Sequence, residues 1–540
     1  MLPSSRRSPR RRGSPRLGGA PRRRVPWPRI GGLVLVAAIL AGGYAWRLRQ
    51  QATDDRHAAA VRFAKAWQGG DRAAMWRALT PAARAQTPRA AFAKSYEAID
   101  ETAGVTSVRT GRPGEEQGGT IALPVALELR DFDTLRGTIA LPVSGSGEKA
   151  GVGWQPSLRL PGLRAGEAVG VRAGRQPRRA QILAADGSRL DSTPAGASVV
   201  GEPGEKPTGL QRVYDERLAG HPSASLLFGR RVVDRTSAQR GRSLKSTLRP
   251  GLMRAAQEAL GERTGGVAVI RPRDGALLAV AGLAVSAPQP PGSTFKIITT
   301  AAALESGVAT PSTTFPLATF ATLSGVKLGN AGGERCGGTL TEAFVESCNS
   351  VFAPLGAKVG AKRLVKTARA FGFGEQSAIP ASKPSTIASA DELRDALAVG
   401  SAAIGQERDL ATPLQMASVA ATIATGGQRV RPRIATIDKV VKRRVVSART
   451  ARQIRSMMVG VVRSGTGKAA ALPGVQVAGK TGTAELRPNS DDPKDADAWF
   501  VAFAPAQKPK VAVAVLLVGA GFGGTTAAPV AKKVLAAALG

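Results

Sequence analysis

The stretch Pro290–Thr300 reads PPGSTFKIITT, and it sets Ser293 and Lys296 three residues apart at the head of an apolar run, behind a proline pair and a glycine. On a helix that spacing puts the hydroxyl and the amine on one face. A serine attacks carbon well only when a neighbouring base takes its proton, and an ordinary lysine, with a pKa near ~10.4, holds its own proton at neutral pH. Lowering that pKa by about three units costs roughly 4 kcal/mol, which burial and a nearby second cation can supply. A second lysine is therefore expected close by. The spacing alone is not distinctive, because Ser146 with Lys149 and Ser324 with Lys327 repeat it. Those two lie in a GSGEK turn and a glycine-flanked loop, whereas Ser293 follows strand-forming sequence and precedes FKIITTAAAL. The plainer alternative for Ser293 is a helix N-cap.

Further along, VAGKTGTAE follows an apolar lead-in and reads as an edge strand carrying Lys480, Thr481, Gly482 and Thr483. Gly482 removes a side chain where a substrate backbone can lie along the edge. Between the two motifs, Ser347-Cys348-Asn349 offers a hydroxyl to pass a proton and an amide to orient a carbonyl, in a chain with three asparagines. Around these motifs the texture is consistent. RPGLMRAAQEALGER is an amphipathic helix, and GGVAVIRPRDGALLAVAG is two apolar strands about Arg273-Asp274-Gly275. WFVAFAP and VAVAVLLVGA read as buried strands before a last helix, APVAKKVLAAAL, opened by Pro529. Strands at both ends of a helical middle predict one α/β domain over 243–540.

Upstream, 53–101 has helical periodicity, with Ala60, Phe63, Ala64 and Trp67 on one face and Trp76 and Leu79 continuing it. TIALPVALEL and LRGTIALPV then alternate as hairpin strands around DFDT. The segment 156–242 is loop-rich, with a strand and turn in GRQPRRAQILAADGSRL and a short helix in GLQRVYDERLAG. Residues 1–29, rich in Arg, Pro, Ser and Gly, are expected to be a disordered basic tail on the cytoplasmic side. Ile30–Trp46, IGGLVLVAAILAGGYAW, is uncharged and at the short end of what spans a bilayer. The heavier positive charge precedes it, which predicts a single-pass anchor with the remainder exported; a cleavable signal peptide is the alternative.

The chain of 540 residues carries 76 Lys+Arg against 39 Asp+Glu. With aromatics at 4% and no recognition motif, the surplus does not read as a nucleic-acid surface. It suits an anionic lipid or wall polymer. Its two histidines, His57 and His221, lie far from every motif, which argues against a histidine-based triad or zinc site. Its two cysteines, Cys336 and Cys348, fall on the exported side, where a bridge between them would close a short loop; two unpaired thiols are the alternative.

STFK, SCN and KTGT in this order resemble the motif set of penicillin-binding transpeptidases and their β-lactamase relatives. TGGVAVIRPRDGALLAV, PPGSTFK, TLTEAFVESCNSVFA, AIGQERDLATPLQMA and AGKTGTAE resemble the class B subgroup, from about Ser243 to the end. The resemblance implies an α/β multidomain chain ending in a serine transpeptidase fold with an antiparallel sheet flanked by helices. Residues 53–155 are similar to the NTF2-like module of methicillin-resistance transpeptidases, and 156–242 to the β-rich pedestal, or dimerisation, region that follows it. There the family has Arg-Gly and Asp-Arg-Asn-Gly, where this chain has Arg179-Ala180 and Ala184-Ala185-Asp186-Gly187; Glu407 stands where the family often has glycine. The resemblance further implies Ser293 as acylated nucleophile, Lys296 as its base, and Ser347 and Lys480 as proton relay. Asn349, Thr481, Gly482 and Thr483 would hold a D-Ala-D-Ala stem peptide or a β-lactam mimicking it, with no metal or organic cofactor. The membrane and a glycan polymerase are the implied partners. Hydrolysis of the acyl-enzyme, as in a D,D-carboxypeptidase or β-lactamase, and a non-catalytic sensor or scaffold are the alternatives.

Overall fold

Val511–Leu517, VAVAVLL, is buried at every position. Such a strand cannot alternate apolar with polar, because both faces of its sheet are covered. It is the centre of a five-stranded antiparallel sheet in the order Ala276–Gly282, Gly265–Arg271, Val511–Leu517, Ala496–Ala504, Ala478–Glu485. The first two strands form the expected hairpin through Arg273-Asp274-Gly275, and the other three come from the far end of the sequence. Helices Pro250–Leu260 and Ala527–Leu539 pack on each other and on the sheet. The helix Pro413–Ala424, buried except for half-buried Gln415, packs against Gly265–Arg271 and Val511–Leu517.

This computed structural model describes the chain from residue 30, with side chains from residue 38, except 378, 407, 488–491 and the side chain of 493. The expected basic tail and Glu407 lie outside the described residues. The expected anchor 30–46 is the first part of a longer helix, Ile30–Gln68, and its side chains up to residue 37 are also outside them. Among the described residues no helix is long and apolar enough to cross a membrane.

The chain divides into two compact units, 1–174 with 223–237, and 175–222 with 238–540. In the first, Phe63, Trp67, Phe92, Tyr96 and Trp154 form a buried aromatic cluster beneath a sheet in which Thr120–Leu129 pairs with Leu135–Ser144, the hairpin read around DFDT. The stretch 156–242, expected as one β-rich pedestal, is shared between the units. Val169–Ala173, Ala224–Phe228 and Arg231–Thr236 pair as a three-stranded sheet of the first unit. Residues 175–222 instead carry the short helices Pro194–Val200, Gly209–Val213 and Asp215–Ala219. Leu190, Val200, Leu210 and Leu218 from this stretch are buried in the core of the second unit. Ladder pairing claims one part of the segment and apolar burial the other, and neither leaves a signal at the boundary.

Candidate active site

Pro291 and Gly292 turn the chain into a single 3₁₀ turn, Gly292–Phe295, and the α-helix Lys296–Glu305 begins at the lysine itself. Ser293 therefore sits ahead of the helix and makes no capping bond; the N-cap alternative does not hold. Gly292 has φ +51°, and a Cβ there would lie 2.5 Å from the Thr483 carbonyl oxygen, so only glycine lets the turn press against the edge strand. Ser293 stays half-buried while Lys296 is wholly buried.

The helix Leu340–Glu346, begun by a Thr339–Glu342 capping box, ends at Ser347, held in the left-handed region at φ 68°. The next helix starts at Asn349. This corner turns three acceptors toward Lys296. Its Nζ lies 2.9 Å from Ser293 Oγ, 2.6 Å from the Ser347 carbonyl, 2.6 Å from Asn349 Oδ1 and 3.4 Å from Ser347 Oγ. Lys480 Nζ, from the edge strand, lies 2.7 Å from the same Ser347 Oγ. Burial drives the Lys296 pKa well below its ordinary value, and the charge of Lys480 drives it further. Lys480 is pushed down to about 7 by burial, against an upward pull from Glu346. The second cation required by the Ser-x-x-Lys chemistry is thus one hydroxyl away.

Ala478–Glu485 is the sheet edge read from the sequence. The Thr483 carbonyl faces Gly292, and since a residue's N–H and C=O project to one side of a strand, its N–H also faces the Ser293 turn. A Cβ on Gly482 would meet the Pro291 carbonyl oxygen, Thr294 Cγ2 and Trp499 Cβ, each at 2.9 Å. Gly482 is therefore also a packing requirement between turn and strand, besides leaving the edge open.

All eight predicted site residues are gathered here. Cys336 and Cys348 are bridged, with Cα atoms 5.8 Å apart, so the residue between Ser347 and Asn349 is tied to the strand Cys336–Thr339. Ser146 and Ser324 play no part: one precedes a short 3₁₀ turn of the first unit, the other sits in the turn of the hairpin Phe320–Leu323 and Val326–Gly329.

The sequence reading missed several supports. Thr466 Oγ1 lies 2.7 Å from Thr481 Oγ1, and only the tight Ser-Gly-Thr-Gly loop after helix Ala448–Arg463 hinted at it. The Gly329 carbonyl accepts from Asn349 Nδ2 at 2.7 Å, a backbone contact no side-chain pattern announces. Phe352 lies 5.5 Å from Lys296 Nζ and Phe344 5.6 Å from Lys480 Nζ, and their apolar rings help to keep water from the amines. Their placement three residues on either side of the Ser-Cys-Asn motif was the available signal.

Residues 265–536 match the family model "Penicillin binding protein transpeptidase domain". The chain is 36% identical over 403 residues, 62% of its length and 79% of the relative's, to peptidoglycan D,D-transpeptidase PbpA of Mycobacterium tuberculosis. It is 34% identical over 272 residues, 45% of its length and 41% of the relative's, to stage V sporulation protein D of Bacillus subtilis. Among solved structures, the penicillin G acyl-enzyme complex of penicillin-binding protein A from M. tuberculosis superposes with a TM-score of 0.58 at 32% identity, covering 67% of this chain and all of that one. The ceftriaxone acyl-enzyme complex of the same protein gives 0.57 at 32%, covering 68% and 99%.

Proposed function

Since the chain belongs to the penicillin-binding protein transpeptidases, we propose that it cross-links peptidoglycan as a serine D,D-transpeptidase in which Ser293, Lys296, Ser347 and Lys480 form one proton path. The observation that carries this is the continuous run Ser293 Oγ, Lys296 Nζ, Ser347 Oγ, Lys480 Nζ, joined by contacts of 2.9, 3.4 and 2.7 Å. Neutral Lys296 takes the Ser293 proton as Oγ attacks the penultimate carbonyl of a stem peptide ending in D-Ala-D-Ala. The backbone N–H groups of Ser293 and Thr483 take the oxyanion, where one lost donor typically costs about 3 kcal/mol. The C–N bond then breaks, and the departing D-alanine amine collects a proton through Ser347 and Lys480. An acceptor amine attacks the ester and frees Ser293. Asn349 holds the substrate amide, and Thr481 and Thr483 its terminal carboxylate.

Three finer readings belong to the same proposal. Residues 30–46 anchor the chain in the membrane by a single span, supported by an uncharged stretch behind a basic tail. Residues 53–155 are an NTF2-like module, supported by their helices and antiparallel sheet. A glycan polymerase is the partner that would supply strands for cross-linking. The deciding experiment is labelling of purified residues 52–540 with fluorescent penicillin. A stable adduct is expected, absent in Ser293→Ala and Lys296→Ala; no adduct with the unaltered protein would overturn the assignment, and rapid release of label would replace transfer by hydrolysis.

A further inference from the structure

The corner that carries Ser347 and Asn349 is tied, residue after residue, to one excursion of the chain upstream of it. That excursion, 314–339, pairs Thr314–Ala318 with Cys336–Thr339 and Phe320–Leu323 with Val326–Gly329. Cys348 is bridged to Cys336. Asn349 Nδ2 donates to the Gly329 carbonyl at 2.7 Å, and the Ser350 N–H donates to Asn330 Oδ1 at 2.8 Å. The third of these ties brings in a side chain that lies outside the proton path.

Asn330 is 8% exposed and uses both ends of its amide. Its Nδ2 donates to the Ala318 and Glu334 carbonyls, each at 2.8 Å, and lies 3.1 Å from Ser350 Oγ. Carbonyls only accept and a backbone N–H only donates, so one orientation of an amide satisfies all three, whereas a carboxylate of the same shape would oppose both carbonyls. The helix Asn349–Val359 begins after Cys348 without a side-chain cap, and its first-turn N–H groups need acceptors from elsewhere. Asn330 Oδ1 supplies one from 20 residues upstream, as an N-cap side chain does from within a helix. The first residue of that helix is Asn349, whose Oδ1 lies 2.6 Å from Lys296 Nζ. Where Asn330 holds the helix start therefore decides where the Asn349 amide and the Ser347 hydroxyl stand relative to the two lysines.

We infer that Asn330 is a positioning residue for acyl transfer, holding the start of helix Asn349–Val359 so that Asn349 and Ser347 meet Lys296 and Lys480. The inference rests on Ser293 as the acylated residue. Its test follows, on the full chain, the rate of labelling by fluorescent penicillin as a function of penicillin concentration. A displacement of about 1 Å near a reacting centre can cost about a hundredfold, so Asn330→Ala and Asn330→Asp are expected to lower the saturating rate about ten- to a hundredfold. The penicillin concentration that gives half of that rate should change little, because Thr481 and Thr483 lie on the edge strand and are not held by Asn330. Both variants should still reach the final labelled fraction of the unaltered protein, only slowly. Ser447→Ala removes an ordinary N-cap, the acceptor for the Thr450 N–H in helix Ala448–Arg463, and is expected to lower Tm without slowing the reaction. A saturating rate equal to that of the unaltered protein in both Asn330 variants overturns the inference. So does a loss confined to the final labelled fraction, as partial unfolding would give, or one carried by the half-saturating concentration. An unaltered protein that takes no label defeats the assignment of Ser293, and the inference with it, before any variant is compared.

Discussion

Two lysines buried side by side make the residue scale the place where pH acts. In the proposed path Lys296 must be neutral to take a proton, and burial together with the charge of Lys480 shifts it toward that neutral form. Lys480, near 7, must keep its proton to act as the second cation. The penicillin acylation rate is therefore expected to rise with pH as Lys296 deprotonates and to fall above about 7 as Lys480 does. Lys480→Ala should abolish the alkaline fall and move the acid limb to higher pH, because the charge that lowers Lys296 is gone; rates measured from pH 5 to 10 test both. Lys296→Arg should lose about 10²–10⁴ in acylation, like the alanine variant, since a guanidinium does not give up its proton. Stability follows the same shift. Unfolded Lys480 keeps its proton to about pH 10.4 and folded Lys480 loses it near 7, so the unfolded state binds more protons in between and stability climbs with pH across that window. Denaturation of Lys480→Met at pH 7 and pH 10 should show a flatter slope than the unaltered protein.

The site at the scale of elements is the meeting of a 3₁₀ turn, a helix–helix corner and a sheet edge. Gly482 and Gly292 let the turn and edge touch. Gly482→Ala should cost about 1–3 kcal/mol by overpacking and should remove penicillin labelling, whereas Gly479→Ala also crowds a neighbour, Phe500 Cζ at 2.6 Å, but away from the Ser293 turn, and should keep labelling. Comparing denaturation with labelling in the two variants separates lost stability from lost alignment. The bridge Cys336–Cys348 spans 12 residues and holds the corner to its neighbouring strand. Replacing both cysteines by alanine should cost about 3 kcal/mol by the loop-closure estimate, read as a lower denaturation midpoint. The edge position of Ala478–Glu485 could be read from its glycine and threonines after an apolar lead-in, and the helix after Lys296 from its apolar run. The left-handed Ser347 could not, because serine rarely takes that conformation and nothing local marks it.

For the whole molecule, chain order and domain order differ. The catalytic unit takes 175–222 into its core, leaves the sequence for 223–237, and returns at 238. A fragment of 243–540, the boundary the sequence suggests, lacks Leu190, Val200, Leu210 and Leu218. It should denature earlier and aggregate more than 175–540, compared by light scattering and thermal melting. The candidate reacting groups, the apolar strands at both ends and the family resemblance were legible in the sequence, because these depend on residue type at short spacing. Tertiary structure decided the meeting of Lys480 with Ser347, 133 residues apart, the support of Asn349 by the Gly329 carbonyl and of Thr481 by Thr466, and the division of 156–242. Those are backbone and long-range contacts, set by how the sheet closes and by which core buries each leucine, and no local pattern encodes them. PPGSTFKIITT shows why: its serine and lysine are three residues apart in the sequence, but the acidity of that lysine is set by burial and by a charge on a distant strand.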